Sequence, residues 1–201
     1  LQVGPGALVP RPETELLVDW CRSFLARQGS LAQRLIVDVG TGPGTILFSL
    51  ATHPPLQHAR FIGADVSAPA LEWARRNLQT FALQDRVELV RGDLLTWFGG
   101  RALLVTANLP YLRADQIAGN WELSAEPVIA LDGGVAGLEL IARLVDSLPS
   151  ILADDGAVVL EIDPSQVTAV VALLGQTTPW LNVVVHRDLA GFDRFVSAAP
   201  G

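Results

Sequence analysis

Short apolar runs alternate with longer amphipathic stretches along most of this chain. The runs are rich in β-branched residues and predict seven strands, at residues 35–39, 60–64, 87–91, 102–107, 157–162, 181–187 and 194–198. Between them, apolar residues recur at helical spacing and predict helices at residues 14–27, 45–52, 68–81, 138–152 and 166–174. Ser67 stands where it would cap the third of these helices.

The alternation of strands and helices determines the expected fold class. Strands separated by helices pair in parallel with helices on both faces, which predicts an α/β fold with a doubly wound, Rossmann-like sheet. The last two predicted strands follow each other without a helix between them, so we expect them to be antiparallel neighbours. The sequence therefore predicts a seven-stranded, mostly parallel sheet with an antiparallel last strand.

Two segments fall outside this alternation. Residues 1–12 are punctuated by proline and glycine and are expected to form an extended or looped lead-in. Residues 112–137 are too long for a simple connection, and irregular segments of that length in compact domains usually carry function. No repeat, low-complexity tract or block of charge divides the chain, so we expect one domain over residues 1–201.

Composition narrows the classes of protein that fit. The formal net charge is −7 and all 14 basic residues are arginine, which argues against direct nucleic-acid binding through a broad basic face. A single cysteine, Cys21, excludes an internal disulfide and a cysteine-rich zinc site, and we expect no metal. No apolar run approaches the roughly 18 residues of a membrane helix, and no signal-peptide pattern is present. We therefore expect a cytoplasmic protein without membrane contact.

A glycine-rich loop follows the first predicted strand and opens a helix. Glycines there let the backbone turn sharply and approach a ligand closely, although a tight turn that binds nothing would use the same residues. A dinucleotide-binding loop would need a third glycine where Thr45 stands, so that pattern fails. The remaining D-x-G-x-G-x-G pattern resembles the loop of S-adenosylmethionine-dependent methyltransferases. Its candidate cofactor-binding residues are Asp38, Gly40, Thr41, Gly42, Pro43 and Gly44.

Acidic residues also follow the second and third predicted strands. Asp65 stands where a carboxylate could accept hydrogen bonds from both ribose hydroxyls of a nucleoside, although a helix cap would suit the same position. Asp93 could accept from the exocyclic amine of adenine while Leu94 packs on the ring, and a plain turn aspartate is the alternative. Because the carboxyl ends of parallel strands meet at one edge of a sheet, we expect these side chains and the glycine loop to face the same ligand.

The fourth predicted strand ends in Asn108-Leu109-Pro110-Tyr111. This motif resembles the (Asn/Asp/Ser)-Pro-Pro-(Tyr/Phe) signature of methyltransferases that act on planar nitrogens in adenine, cytosine or glutamine. An amide nitrogen is a poor nucleophile. Two fixed acceptors, the Asn108 side-chain oxygen and the backbone carbonyl after it, would hold its N–H groups and align its lone pair. Tyr111 would pack against the acceptor plane, and Leu109 supplies the carbonyl without the φ restraint of proline.

Further segments give the whole chain a resemblance to the HemK-like protein-(glutamine-N5) methyltransferases. Residues 9–15 (VPRPETE) are similar to that family's (I/V)-P-R-P-x-T-E, although the same residues would suit a plain helix start. Residues 126–138 (EPVIALDGGVAGL) are similar to its E-P-x-x-A-L-x-G-G-x-x-G-(L/F) segment. Residues 188–194 (DLAGFDR) are similar to its D-L-x-G-x-(D/E)-R segment.

This resemblance implies an enzyme that uses S-adenosyl-L-methionine to methylate the glutamine of the Gly-Gly-Gln motif in peptide chain release factors. The implied catalytic residues are Asn108, Leu109, Pro110 and Tyr111, with Asn108 also beside the cofactor. The implied substrate-binding residues are Arg11, Glu13, Thr14, Asn108, Pro110, Tyr111 and Glu126. The family also has an N-terminal helical domain that engages the release factor. Since the chain starts at Leu1 and contains no methionine, we expect a catalytic domain that lacks that part.

Two other classes of function remain open. The Asn-Leu-Pro-Tyr form also occurs in rRNA adenine dimethyltransferases, so an adenine-N6 methyltransferase acting on RNA or DNA is the alternative enzyme. The acidic net charge and the segment at residues 9–15 argue against it. The other class is a domain that binds S-adenosylmethionine without catalysis, and the presence of Asp65, Asn108 and Tyr111 argues against that.

Overall fold

A seven-stranded sheet forms the centre of the molecule in a computed structural model, which describes residues 1–118, 120–123 and 126–201. The strands are β1 Leu35–Val39, β2 Arg60–Asp65, β3 Val87–Arg91, β4 Ala102–Ala107, β5 Leu152–Glu161, β6 Asn182–Arg187 and β7 Asp193–Ala199. The helices are α1 Thr14–Ala26, α2 Thr45–Ala51, α3 Ala68–Thr80, α4 Ala114–Ile117, α5 Glu139–Ile151 and α6 Val167–Thr177. None of the described helices is long and apolar enough to cross a membrane.

The strand order is β3-β2-β1-β4-β5-β7-β6. β2 and β3 are added on one side of β1, and β4 then pairs on its other side, so the topological switch point lies between β1 and β4. Neighbouring strands from β3 to β5 pair in parallel. β7 lies antiparallel between β5 and β6. This confirms the predicted sheet. Open α/β sheets bind ligands at such a switch point, outside the carboxyl ends of the strands, which directs attention to the ends of β1 and β4.

Apolar side chains cover both faces of the sheet. One buried cluster joins α1 and α2 to the sheet and includes Leu17 and Phe48. A second cluster joins α5 and α6 to the sheet and includes Leu144 and Val170. β4 is buried along its whole length, as expected of a central parallel strand whose two faces are both covered. The doubly wound arrangement is therefore confirmed.

The start of β5 differs from its prediction. The strand begins at Leu152, before the expected start at residue 157. Ala102 pairs with Leu152 but Leu104 pairs with Ala157, so residues 153–156 form an irregularity in the ladder. Asp154 and Asp155 in this stretch are exposed. Their polarity interrupts the apolar pattern, so the pattern does not predict the first part of the strand.

The lead-in, residues 1–12, lies against α3. The Gln2 backbone N–H donates to Asn77 Oδ1 at 2.7 Å, and Asn77 Nδ2 donates to the carbonyls of Gln2 at 2.8 Å and Pro43 at 2.9 Å. Trp73 Nε1 donates to the Pro5 carbonyl at 3.2 Å. Because Asn77 is fully buried, it joins the lead-in, α3 and the glycine loop in one hydrogen-bonded unit.

Candidate active site

A cavity of about 460 Å³, called the main cavity here, opens at the carboxyl ends of β1 to β4. The lead-in contributes residues 6–8 to its wall. The predicted site residues that line it are Gly40, Gly42, Asp65, Asp93, Leu94, Asn108, Leu109 and Pro110. The structure thus brings the glycine loop, both acidic strand ends and the Asn108 motif to one space. Their contacts with a ligand stay predictions.

The glycine loop turns sharply because its glycines adopt left-handed backbone conformations. Gly42 has a φ of +57° and Gly44 a φ of +90°, and a Cβ at Gly44 would lie 2.2 Å from the Phe48 ring. The Asp65 carboxylate accepts hydrogen bonds from the backbone N–H groups of Gly42 and Ser67, both at 2.8 Å. Burial raises the pKa of the Asp65 carboxyl. Asp65 therefore holds the loop against the end of β2 and also lines the main cavity.

Asp38 lies behind the glycine loop. It is 2% exposed, and its carboxylate accepts hydrogen bonds from the hydroxyls of Thr41 and Thr106, each at 2.7 Å. Burial raises the pKa of Asp38 to about 6. Asp38, Thr41 and Pro43 line a separate cavity of about 50 Å³, so the structure does not bring them to the main cavity wall. Sequence reasoning missed Thr106, whose signal is a hydroxyl within an otherwise apolar strand.

The buried Asp38 carboxyl is expected to make stability depend on pH. The Asp38 pKa is about 6 in the folded chain and about 4 in an unfolded one. The folded state therefore binds the proton more tightly, and the free energy of unfolding falls as the pH rises through that interval. Across this interval the free energy of unfolding of the wild type should decrease by about 3 kcal/mol because of Asp38, and Asp38→Asn should lack this decrease. Urea unfolding at several pH values measures the difference. Asp146→Asn, at an exposed position of α5, should keep the wild-type slope, and an equal slope in both variants would contradict the assignment.

Asp93 and Leu94 form the part of the main cavity that follows β3. Leu94 has a φ of +49°, a conformation that residues other than glycine seldom adopt, and its carbonyl accepts from Trp97 Nε1 at 2.8 Å. Asp93 forms an ion pair with Arg143 of α5, and both side chains are about half exposed. Because exposed pairs contribute little to stability, Asp93 could exchange this partner for a ligand at small cost.

A second cavity, of about 390 Å³, adjoins the main cavity at the Asn108 motif. Asn108, Leu109 and Pro110 line both cavities, and Tyr111 lines the second. Burial raises the pKa of Tyr111 to about 12, so its phenol stays neutral at physiological pH. The charged residues that line the second cavity are Arg11, Glu13, Glu161, Asp163 and Arg194.

The sequence did not single out a buried glutamate that lies beside the Asn108 motif. Glu161, at the end of β5, is 2% exposed, and its Oε2 accepts from Thr14 Oγ1 at 2.8 Å. Ala107 pairs with Leu160, so Asn108 and Glu161 follow at neighbouring strand ends, and both line the second cavity. Burial raises the pKa of Glu161, while the hydrogen bond from Thr14 and the positive charge of Arg194 oppose that rise. Thr14, which the resemblance implies as a substrate-binding residue, is thus buried and engaged by Glu161, and its contact with substrate stays a prediction.

Buried Gln166, also missed, ties two loops together around the Asn108 motif. Its Nε2 donates to the backbone carbonyls of Tyr111 and Gly137, both at 2.9 Å. A Cβ at Gly137, where φ is +69°, would lie 2.2 Å from the Tyr111 carbonyl oxygen. A Cβ at Gly133 would lie 2.6 Å from the Pro110 carbonyl oxygen. The glycines of the segment at residues 126–138 therefore allow its backbone to pack directly against the motif.

Arg11 and Glu126, both implied as substrate-binding residues, pair with each other. Arg11 Nη2 lies 3.1 Å from Glu126 Oε1, and the backbone N–H of Val9 donates to Glu126 Oε2 at 3.3 Å. The Glu126 side chain is 6% exposed and that of Arg11 is 44% exposed, so Arg11 keeps a free surface beside the second cavity. Their contacts with substrate stay predictions. Among the described residues, no cluster of histidine, cysteine and acidic side chains is arranged to hold a metal ion.

Solved structures share this fold. The chain aligns with a ribosomal protein L11 methylase from Lactobacillus delbrueckii subsp. bulgaricus, with a TM-score of 0.63 and 21% identity, over 97% of this chain and 81% of that one. It also aligns with the human Mettl16 catalytic domain in complex with the MAT2A 3′UTR hairpin 6, with a TM-score of 0.77 and 15% identity, over 99% of this chain and 74% of that one. These likenesses confirm the class I methyltransferase fold.

Sequence comparison identifies the family. The profile of a family described as "Methyltransferase domain" matches residues 36–118. The release factor glutamine methyltransferase of Streptomyces coelicolor is 36% identical over 98% of this chain and 70% of its own length. The release factor glutamine methyltransferase of Mycobacterium tuberculosis H37Rv is 37% identical over 98% of this chain and 65% of that protein's length. The human MTRF1L release factor glutamine methyltransferase is 34% identical over 98% of this chain and 62% of its own length. The chain therefore belongs to the release factor glutamine methyltransferase family.

Proposed function

We propose that this chain transfers a methyl group from S-adenosyl-L-methionine to the side-chain amide nitrogen of the glutamine in the Gly-Gly-Gln motif of a peptide chain release factor. The observation that carries the proposal is that Asn108, Leu109 and Pro110 line both cavities, so ligands in the two cavities would meet at the motif. The names of the curated relatives support this choice of substrate. In this proposal residues 1–201 act as the catalytic domain, and a release factor substrate implies a cytoplasmic location.

The main cavity suits the chemistry of the cofactor. A Cβ at Gly42 would meet no atom within 4 Å, so the loop leaves open space beside its backbone for a ligand. Asp65 would accept hydrogen bonds from the ribose hydroxyls, and Asp93 from the adenine amine with Leu94 against the ring. When bound, the cofactor would supply a methyl group on a positively charged sulfur, which is an electrophile without further activation. The C–S bond would break to leave the neutral thioether S-adenosylhomocysteine, and the methylated nitrogen would lose one N–H proton to solvent.

The Asn108 motif supplies what the acceptor needs. The lone pair of an amide nitrogen is delocalised into its carbonyl, so the nitrogen reacts only when it is well aligned. In the proposed complex, Asn108 Oδ1 and the Leu109 backbone carbonyl accept its two N–H groups and direct the lone pair toward the main cavity. Such alignment contributes on the order of several kcal/mol, and the same acceptors stabilise the positive charge that develops on nitrogen. The neutral Tyr111 phenol packs against the amide plane.

The test combines the protein that contains this chain, S-adenosylmethionine and a purified release factor. We expect mass spectrometry to find one added methyl group on the glutamine of the Gly-Gly-Gln motif. A release factor with that glutamine replaced by glutamate is the matched control and should remain unmodified. A release factor that stays unmodified, or is modified elsewhere, would refute the proposed function.

An adenine-containing oligonucleotide forms the second arm of this assay. The second cavity is lined by Glu13, Glu161 and Asp163 against Arg11 and Arg194, and the chain carries a net charge of −7. Because both features disfavour the approach of phosphates, we expect the oligonucleotide to remain unmodified. Methylated adenine would favour the alternative enzyme instead.

A further inference from the structure

The segment at residues 188–194 connects β6 to the start of β7, and the proposed function does not yet use it. β7 runs antiparallel to β5, so β7 begins at the edge of the sheet where β5 ends. At that edge the Ile162 backbone N–H donates to the Arg194 carbonyl at 3.0 Å. Arg194 therefore stands beside the second cavity, which it lines together with Asn108 and Tyr111.

The turn between β6 and β7 fixes the carboxylate of Asp188. Asp188 Oδ1 accepts hydrogen bonds from the backbone N–H groups of Ala190 at 2.9 Å and Phe192 at 3.0 Å. Gly191 has a φ of +86°, a left-handed conformation that glycine adopts without strain. Backbone donors thus hold one carboxylate oxygen in place, and the other oxygen, Oδ2, is available to a side chain.

Asp188 Oδ2 holds the Arg194 guanidinium. It accepts hydrogen bonds from Nε at 3.1 Å and from Nη2 at 2.9 Å. Among the ion pairs of the described residues, this is the one in which neither side chain is more than 20% exposed. Nη1 takes part in none of the hydrogen bonds between described residues, and it is not fully buried. Its two N–H groups are therefore available to a ligand in the second cavity.

The rest of the second cavity offers mainly hydrogen-bond acceptors. Its acidic side chains, which only accept hydrogen bonds when they are ionised, are Glu13, Glu161 and Asp163. Arg11, the other cation of the lining, pairs with Glu126 and is 44% exposed. A Gly-Gly-Gln segment has no side chain on its two glycines, so recognition there depends on backbone N–H and carbonyl groups. The carbonyl oxygens need donors, and Arg194 presents a charged donor in a fixed position.

We propose that Arg194, oriented by Asp188, is a further substrate-binding residue whose Nη1 donates to a backbone carbonyl oxygen of the Gly-Gly-Gln segment. This inference rests on the proposed function, because it assumes that segment as the occupant of the second cavity. A backbone carbonyl does not change during methyl transfer. The hydrogen bond therefore stabilises the bound substrate and the transition state equally, and its loss should appear in KM rather than in kcat.

Two substitutions of Arg194 test the contact by steady-state kinetics, with a purified release factor and the protein that contains this chain. Arg194→Gln removes the charge and the fork of donors. We expect KM for the release factor to rise about 10- to 100-fold, and kcat and the cofactor Kd to stay within about threefold of wild type. In Arg194→Lys the single ammonium cannot reproduce the fork that reaches Asp188 and the substrate together. We therefore expect a smaller rise in KM, of at least about threefold.

A role confined to stabilising the turn would give a different result. Asp188→Asn also breaks the ion pair but keeps the Arg194 charge, so we expect its KM to rise less than that of Arg194→Gln. If the ion pair only stabilised the turn, the two variants would have equal effects. Arg187→Gln is the matched control, because it breaks the exposed ion pair between Arg187 and Asp193 on the same two strands, and it should keep the wild-type KM. Urea unfolding shows that each variant is folded, and Arg194→Lys serves if Arg194→Gln is not.

The outcomes separate this inference from the proposed function. A wild-type KM in Arg194→Gln and Arg194→Lys, or equal rises in Arg194→Gln and Asp188→Asn, would refute the binding role while the proposed function stands. A fall in kcat at unchanged KM would also refute it, because Arg194 would then act on the reacting amide. If the wild type leaves the release factor unmodified, the proposed function fails and the role of Arg194 fails with it.

Discussion

Replacing Asn108 with alanine is expected to lower kcat for methyl transfer by about 10²- to 10³-fold and to leave the cofactor dissociation constant within about threefold of wild type. Asn108 lines both cavities, and in the proposed complex its side-chain oxygen accepts a hydrogen bond from the substrate amide. Its contribution is greatest when positive charge develops on the acceptor nitrogen, so its loss raises the barrier more than it weakens ground-state binding.

Steady-state kinetics on the release factor and calorimetric titration of S-adenosylmethionine measure the two quantities separately. Asn182→Ala, at an exposed position of the edge strand β6, removes the same side chain far from the site and should match wild type in both. Equal losses of kcat and cofactor affinity in Asn108→Ala would contradict the proposed role of Asn108 on the acceptor nitrogen.

The fold could be predicted because its main signals are local. Parallel strands covered on both faces are apolar along their length, and β4 illustrates this with burial at every position. Ser67 caps α3 as predicted, accepting from the Ala70 backbone N–H at 3.3 Å. The first part of β5 could not be predicted, because Asp154 and Asp155 interrupt its apolar pattern. The short helix α4 spans four residues, too few for a periodic pattern.

The candidate site also has residues that could be predicted from the sequence and residues that could not. The glycine loop, Asp65 and the Asn108 motif each follow a strand in a recognisable pattern, so their common edge could be inferred from topology alone. Glu161 and Gln166 could not be identified, since their importance depends on β5 lying beside β4 and on a turn that reaches the Tyr111 carbonyl. The sequence shows the glycines at residues 133 and 137 as part of a motif. It does not show why glycine is needed there, because the close approach of two backbone segments appears only in the structure.

Replacing Asp65 with alanine is expected to weaken S-adenosylmethionine binding by at least about 100-fold, since hydrogen bonds to a charged group contribute about 1.5–3 kcal/mol each and the proposed ribose contact makes two. The variant also frees the backbone N–H groups of Gly42 and Ser67, so the glycine loop loses its attachment to the end of β2. At saturating cofactor, kcat should recover to within about tenfold of wild type, because the acceptor side is intact. Asn108→Ala should show no such recovery.

Asp93→Asn provides the matched comparison for Asp65, because both aspartates line the main cavity at neighbouring strand ends. Asp93 is half exposed and already forms an ion pair with Arg143. Asp93→Asn should therefore weaken cofactor binding by less than about tenfold. Calorimetric titration of the two variants measures this order directly. Unchanged affinity in Asp65→Ala would remove Asp65 from the ribose, and a larger loss in Asp93→Asn would move the principal anchor of the nucleoside from β2 to β3. We expect the larger loss of affinity at Asp65 because two backbone donors fix its carboxylate before the ligand binds. The exposed carboxylate of Asp93 must first be ordered, which costs binding free energy.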